Sequence, residues 1–245
     1  MRPRVSIIIP TLNESTCLGQ TLRHLSILDP PAWEIIVVDG GSRDRTVSIA
    51  DAANVSTVLS KQARRSCQMN QGVAVATGEF LCFLHADTWV PEDLIALIHQ
   101  TLNDSTIACG GFVSLMTGTR STRWGISLHN YLKTYYAPLI FRPHLFFGKG
   151  LKILFGDQAM FCRATEFRDC GGFDPDLPIM EDADLCRKLV RYGRIHLVHR
   201  VVQSSDRRVA KWGAVRATLL YLWIGVLWGV GVSASYLEQF YDDVR

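Results

Sequence analysis

Short apolar runs and amphipathic segments alternate along the first hundred residues of the chain. The apolar runs cover residues 5–10, 34–39, 55–59 and 80–86, and each gives way to polar residues. Continuous apolar runs of this length are typical of strands that are buried on both faces. The segments between them predict helices, and the apolar face of the first helix comprises Leu18, Leu22, Leu25 and Leu28. The pattern predicts an α/β fold with a mostly parallel, doubly wound sheet flanked by helices.

The second half of the chain has a less regular pattern. Residues 155–162 are predicted as a late strand that is entered through Gly156-Asp157-Gln158. A helix is predicted to begin near residue 181, with Glu181, Asp182 and Asp184 in its first turn. Residues 123–138 are rich in aromatic side chains, which fit a lid over a site, a surface on a membrane, or ordinary core.

The C-terminal part carries a long apolar run at residues 217–234, which holds eighteen residues without a charge. This length is at the lower limit for crossing a bilayer. Three interpretations stay open: an interfacial helix that docks the protein near a lipid acceptor, a helix packed on the domain or a partner, and a true span. Just before this run, the basic pair Arg207-Arg208 is able to meet diphosphate or anionic lipid, or to be solvated.

These patterns predict one main domain and an extension. The domain covers residues 1–203, with a nucleotide-binding half at about 1–105 and an acceptor half at about 106–203. Residues 204–245 are predicted as a hydrophobic, helical C-terminal extension that is able to associate with a membrane.

Composition narrows the class of protein. The chain has 245 residues, of which 48% are hydrophobic and 20% are charged, so it can bury a full core. A net charge of +3 with scattered basic residues argues against a nucleic-acid partner. Seven cysteines without a Cys-x-x-Cys pair predict neither a disulfide framework nor a zinc site. We expect a cytoplasmic location, with the inner face of the cell membrane as the alternative if the extension docks there.

Polar residues follow the predicted strands at the ends where parallel strands meet. Asp39 and Asp87 end two of the apolar runs, and Thr11, Asn13 and Glu14 follow the first. Because ligands bind at the carboxyl ends of the strands in open α/β sheets, these side chains are predicted to converge on one crevice. A simpler role for the second aspartate, as a cap of the helix that follows, also stays open.

The usual glycine-rich phosphate loops are missing from the sequence. No Gly-x-Gly-x-x-Gly follows the first strand, and no Gly-x-x-x-x-Gly-Lys-Ser/Thr occurs. A nucleotide would therefore be held by other groups. Asp39 can accept a hydrogen bond from a base, and Arg64 or Arg65 can neutralise phosphate oxygens.

Five segments together resemble the family 2 glycosyltransferases, which have the Rossmann-like GT-A fold. The resemblance covers about residues 5–200 and depends on the matching order of the segments. They are IIPTLNE (8–14), VVDGGSRD (37–44), QMNQG (68–72), GEFLCFLHADT (78–88) and MEDADL (180–185).

The resemblance implies a nucleotide site. It implies that Asp39 reads the base and that Arg64 or Arg65 approaches the diphosphate. His85-Ala86-Asp87 stands where the family has Asp-x-Asp, which binds a divalent cation. Asp87 is therefore expected to bind Mg²⁺ or Mn²⁺, and His85 to bind the metal, the sugar or neither. The residues expected to line the nucleotide pocket are Pro10, Thr11, Glu14 and Ala86.

The resemblance also implies the residues of the acceptor side. Asp182 is expected to act as the general base for the acceptor hydroxyl, with Glu181 in support, and the attack is expected to invert the anomeric centre. A role limited to stabilising the start of the helix is the alternative for these carboxylates. Asp157 and Gln158 are further candidates for contact with the acceptor.

The sequence therefore predicts a metal-dependent glycosyltransferase. The donor would be a UDP- or GDP-linked sugar, and the acceptor a saccharide, a lipid or a small metabolite. A nucleotidyltransferase is one alternative, although the residues after the first strand are neither glycine-rich nor basic. A membrane-attached module that binds sugar nucleotides without turnover is the other.

Overall fold

The computed structural model of the chain describes residues 3–118 and 121–240. Its centre is a sheet that contains eight strands in this part of the chain. The strands are β1 (Val5–Thr11), β2 (Glu34–Asp39), β3 (Ser56–Leu59), β4 (Phe80–Phe83), β5 (Thr88–Trp89), β6 (Ile107–Thr117), β7 (Phe161–Arg163) and β8 (Arg194–Ser205).

Helices cover the sheet and extend beyond it. In the first half they are α1 (Leu18–Leu25), α2 (Thr46–Ala52), α3 (Arg65–Val75) and α4 (Leu94–Leu102). In the second half they are α5 (Trp124–Phe141), α6 (Pro143–Lys149), α7 (Ala164–Asp169), α8 (Glu181–Leu189), α9 (Arg207–Trp212), α10 (Ala214–Gly229) and α11 (Ala234–Glu238). A single 3₁₀ turn, Gly156–Gln158, precedes β7.

The sheet combines a parallel half with a mixed half. Its strand order is β3-β2-β1-β4-β7-β6-β8-β5. The first four strands in this order run parallel, whereas β7 pairs antiparallel with both β4 and β6. β6 and β8 are again parallel, and β5 is an antiparallel edge strand. The predicted mixed α/β architecture with a mostly parallel sheet is confirmed.

Alternating side chains of the strands bury both faces of the sheet. Along β1, Ile8 faces a core that includes Met69 of α3, whereas Ile7 faces a core that includes Leu22 of α1. All four side chains are at most 4% exposed. Burial on both faces explains why the parallel strands are continuous apolar runs in the sequence.

The second half differs in detail from the prediction. The strand expected over residues 155–162 is reduced to β7, because residues 156–158 form the 3₁₀ turn. β8 continues through Ser204 and Ser205, where it pairs with β6, so the sheet extends past the boundary predicted at residue 203. The run at 217–234 forms most of α10, the turn after it and the first residue of α11, and Gly231 in that turn has a φ of +98°. Residues 241–245 of the predicted extension lie outside the described residues.

Within residues 3–118 and 121–240, no helix is both long enough and apolar enough to cross a membrane.

Gly72 provides a test of the packing between α3 and the sheet. A Cβ at this position would lie 2.5 Å from Cγ2 of Ile8 and 3.0 Å from Cγ2 of Val38. We expect Gly72→Ala to lower the free energy of unfolding by about 1–3 kcal/mol, because it overpacks a closed core. Gly225→Ala is the matched control, since no atom lies within 4 Å of a Cβ there, and it should leave stability equal or higher. Thermal unfolding measures both, and an equal loss in the two variants would contradict this view of the core.

Candidate active site

A cavity of about 1010 Å³ lies at the carboxyl edge of the parallel strands. The loops after β1 and β4 and the start of α3 form one side of it. The 3₁₀ turn, the first turn of α8 and side chains of α5 and α10 form the other. The predicted site residues that line it are Pro10, Thr11, Glu14, Arg64, Arg65, His85, Ala86, Asp87, Asp157, Glu181 and Asp182.

Asp39 orders the loops beside the cavity and does not line it. Its side chain is 1% exposed. Oδ2 accepts hydrogen bonds from the backbone N–H groups of Gly41 and Ser42 at 2.9 and 2.7 Å. Oδ1 accepts from the hydroxyls of Ser42 and Thr11 at 2.5 and 3.2 Å. With its carboxylate occupied in this way, Asp39 fixes the turn after β2, and direct contact with a base stays a prediction.

Three loops around the cavity contain backbone in the left-handed region. Asn13, Ala159 and Met180 have φ values of 56°, 47° and 67°, and they account for three of the four non-glycine residues with positive φ in the described part of the chain. Such conformations persist only where surrounding contacts enforce them. Met180 immediately precedes Glu181 and Asp182, so this turn sets the direction in which the two carboxylates enter the cavity.

The polar residues of α3 connect the two halves of the site. The side-chain amide of Gln68 donates to the carbonyls of Thr11 and Val38 at 2.8 and 2.7 Å. Asn70 donates to the carbonyl of Phe173 at 2.8 Å and accepts from its N–H at 3.1 Å. The helix therefore holds the end of β1 on one side and the turn before α8 on the other.

Arg207 joins two carboxylates that the sequence separates widely. Its guanidinium lies 3.0 Å from Oε2 of Glu14 and 2.8 Å from Oδ2 of Asp87. Both carboxylates hold the pKa of Arg207 above its usual value. The side chain of Arg208 is outside what the structure describes.

This arrangement also tests whether the site fits a divalent cation. Among the residues described, no group of three or more His, Cys, Asp or Glu side chains is arranged to hold a metal. One guanidinium nevertheless bridges Asp87 and Glu14, so a single positive centre can be shared by these two carboxylates. Mg²⁺ needs only one or two protein carboxylates when phosphate oxygens and water complete its shell. The oxygen donors therefore fit a cation that is bound together with a diphosphate.

His85 is directed toward the acceptor side of the cavity. A Cβ built on Gly156 would overlap Nε2 of His85 and would lie 3.0 Å from Oδ2 of Asp182. The two side chains therefore meet over a glycine that leaves them room. This position places the imidazole beside the predicted general base, and its binding of metal or sugar stays a prediction.

Asp182 is the most perturbed carboxyl group of the cavity. It is 8% exposed, and burial, reinforced by the charge of Glu181, raises its pKa to about 8, whereas the charge of Arg65 opposes the rise. Arg65 pairs with Glu181 at 3.3 Å. Arg64 is exposed and donates to the carbonyl of Pro175 at 2.7 Å, so the two arginines have different partners.

Asp157 and Gln158 have different roles, although they are neighbours. Asp157 lines the cavity and accepts a hydrogen bond from Asn130 at 3.4 Å. Gln158 is 1% exposed, and its amide donates to the carbonyl of Phe112 at 3.2 Å and accepts from the N–H of Phe155 at 2.9 Å. The polar atoms of Gln158 brace the turn that carries Asp157, and contact of Gln158 with an acceptor stays a prediction.

Lys133 is a cavity residue that the motifs do not indicate. Its ammonium lies 3.7 Å from the ring centroid of Phe155, and burial lowers its pKa to about 8 while the charge of Asp157 opposes the change. In the sequence, Lys133 is marked only as a lysine within a segment that is rich in aromatic residues. Arg207 had a clearer signal, since it belongs to the basic pair that was predicted to bind diphosphate or anionic lipid, but the sequence does not show that it reaches Glu14 and Asp87.

The sequence of this chain matches a known protein family. The sequence model of "Glycosyl transferase family 2" matches residues 6–166, which is more than half of the chain. A PGL/p-HBAD biosynthesis glycosyltransferase of Mycobacterium tuberculosis is 32% identical over 130 residues, which cover 50% of this chain and 51% of the relative. The pre-mycofactocin glycosyltransferase of the same organism is 26% identical over 222 residues, which cover 87% of this chain and 45% of the relative.

Solved structures share the fold at low sequence identity. Glucosyl-3-phosphoglycerate synthase of Mycobacterium tuberculosis, solved with Mn²⁺, UDP and phosphoglyceric acid, has a TM-score of 0.65 at 19% identity, covering 94% of this chain and 79% of the other. S. aureus TarS, solved with UDP-GlcNAc, has a TM-score of 0.63 at 15% identity and 70% coverage of its chain. This chain spans about half the length of the curated relatives that it matches. The predicted resemblance is confirmed: the chain belongs to glycosyl transferase family 2 and has the GT-A fold.

Proposed function

We propose that the protein transfers a sugar from a nucleotide-activated donor to an acceptor hydroxyl with inversion at the anomeric carbon. The observation that carries this proposal is one cavity that is lined both by Asp87, which shares the Arg207 guanidinium with Glu14, and by the buried carboxyl of Asp182. Two relatives named as glycosyltransferases and fold neighbours solved with UDP or UDP-GlcNAc support the donor class.

The donor lies against the loops after β1 and β4. The base lies beside the turn that Asp39 orders, and the diphosphate approaches Arg65 and Arg207. Asp87, with Glu14 beside it, would hold the divalent cation. When bound, Mg²⁺ or Mn²⁺ neutralises the charge that grows on the departing diphosphate. Arg207 exchanges its carboxylate partners for phosphate oxygens, which a guanidinium binds through two parallel hydrogen bonds.

The acceptor lies between α5, the 3₁₀ turn and the first turn of α8. Asp182 takes the proton from the acceptor hydroxyl as the acceptor oxygen forms its bond to the anomeric carbon. The bond from that carbon to the phosphate oxygen breaks on the opposite face, and the nucleoside diphosphate leaves. Glu181 keeps Arg65 in place, and Asp157 with Lys133 provides polar contacts for the acceptor.

The donor site is tested by thermal shift of the purified protein with UDP, GDP and their sugar derivatives, with and without Mn²⁺. We expect stabilisation that requires one base and the metal, and we expect Asp87→Ala to abolish the metal-dependent part because it removes the ionised ligand. Asp51→Ala is the control, since it removes an exposed aspartate on α2. Binding that ignores both the metal and Asp87 would contradict the proposed donor site.

The general base is tested by Asp182→Asn. We expect at least about a hundredfold loss of turnover, because the amide cannot accept the proton, and unchanged donor stabilisation in the thermal shift. A donor-binding module without turnover, which is the non-catalytic alternative, predicts binding in both forms and activity in neither. Full activity of Asp182→Asn would exclude this carboxyl as the base.

The pH dependence of kcat/KM follows from the raised pKa of Asp182. The base has to be ionised, so activity should be high above pH 8 and should fall about tenfold per pH unit below it. Arg65→Gln should move this limb to higher pH, because the Arg65 charge lowers the pKa of Asp182. Arg64→Gln is the matched control and should leave the limb in place. A profile that falls with rising pH would contradict the assignment.

A further inference from the structure

α5 and α10 both present large apolar side chains to solvent. On α10 and the residue that follows it, these side chains recur along one face of the helix, and they are 38–75% exposed: Val215, Leu219, Leu222, Trp223, Val226 and Val230. On α5 they are 40–68% exposed: Trp124, Leu128, Leu132, Leu139 and Ile140. Phe147 of α6 is 76% exposed. We call these residues together the α5–α10 surface.

The two helices lie side by side and run in the same direction. Ile126 and Ala217, near the two beginnings, share a small buried cluster. Phe141 packs on Gly229 at the two ends, where Arg142 also donates to the carbonyl of Gly229 at 3.4 Å. Because the helices are in contact along their length, their exposed apolar stripes belong to one region of the molecule. Exposed apolar patches of this extent mark interaction sites.

Basic residues predominate among the charged residues of this surface. The helices α5, α6, α9 and α10 contain no aspartate or glutamate. Exposed basic side chains lie near both ends of the helix pair: Lys211 and Arg216 at the beginning, Lys149 near the end. Glu238 of α11 is an exposed acidic residue that lines the same cavity as Leu222 and Val226. The surface therefore combines apolar and aromatic area with an excess of positive charge.

The α5–α10 surface also borders the mouth of the cavity. Leu222 and Val226 are 40% and 38% exposed, and both line the cavity as well. Whatever covers the surface is therefore brought beside the opening through which an acceptor enters.

We propose that the α5–α10 surface docks on an anionic lipid bilayer. Leucine, valine and tryptophan side chains enter the boundary between headgroups and acyl chains, and the basic residues pair with anionic headgroups. A second copy of the chain is the poorer occupant, because a contact between two such surfaces would bring like charges together. The proposal concerns binding to lipid and does not depend on the reaction assigned above.

Flotation of the full chain with lipid vesicles tests the docking. Binding to vesicles that contain phosphatidylglycerol should exceed binding to pure phosphatidylcholine, and added salt should weaken it. The double variant Leu219→Ser with Trp223→Ser should lower the partition coefficient about a hundredfold, since each side chain contributes about tenfold when it leaves water. Neither residue lines the cavity.

The matched control removes exposed apolar side chains that belong neither to the cavity lining nor to the α5–α10 surface. Ile27 and Val75 are 59% and 49% exposed, and Ile27→Ser with Val75→Ser should bind vesicles as the wild type does. The thermal shift with nucleotide verifies that both double variants are folded, so a loss of lipid binding is distinct from a loss of the donor site.

Two results would overturn the proposal. One is equal binding of the wild type and the Leu219/Trp223 variant, or equal binding to charged and neutral vesicles. The other is a concentration-dependent dimer in sedimentation velocity that the same variant breaks, without vesicle binding by the wild type, because this would assign the surface to a second copy.

Discussion

The parallel pairing of β1 with β2 on one side and with β4 on the other is the constraint on which the site depends. It sets the ends of three apolar strands at the same edge, so that the loops carrying Glu14, Asp39 and Asp87 have to share a small volume. Hydrogen bonds then fix what the pairing brings together, as when Gln68 ties α3 to the ends of β1 and β2. The same helix α3 holds the turn before α8 through hydrogen bonds between Asn70 and Phe173.

Several carboxylates lie close together in the cavity. They provide its chemistry, and their mutual repulsion lowers the stability of the fold. Glu14 and Asp87 share Arg207, and Glu181 has Arg65, so three of the acidic side chains that line the cavity have a guanidinium within 3.3 Å. Asp182 differs from these three in its raised pKa, which burial causes. Burial raises the pKa of this carboxyl to about 8, so its ionised form is a stronger base than the carboxylate of an ordinary aspartate and is the form present above that pH. The turn at Met180 therefore matters for the proposed reaction, because it holds Asp182 in the buried position that raises its pKa.

Local pattern predicted the parallel half well because both of its signals, apolar runs and helical spacing, are local. The antiparallel insertion of β7 was beyond such reasoning, since its three residues pair with strands that are distant in sequence. Motif resemblance located the cavity residues, yet it did not separate lining residues from bracing ones. Asp39 and Gln158 stabilise the loops beside the cavity, because the polar atoms of their side chains form hydrogen bonds within the fold. Arg207 was missed as a partner of Asp87 because 120 residues separate them.

The pairing of β8 with β6 has a consequence for the order in which the protein folds. The two strands are parallel and separated by a long crossover, and β8 also carries the backbone that leads to Arg207. Contacts of such sequence separation close large loops and form slowly. During synthesis the first parallel strands can therefore assemble while Glu14 and Asp87 still lack their guanidinium partner. The two carboxylates that Arg207 joins therefore gain this guanidinium only when the last strand of the sheet is in place.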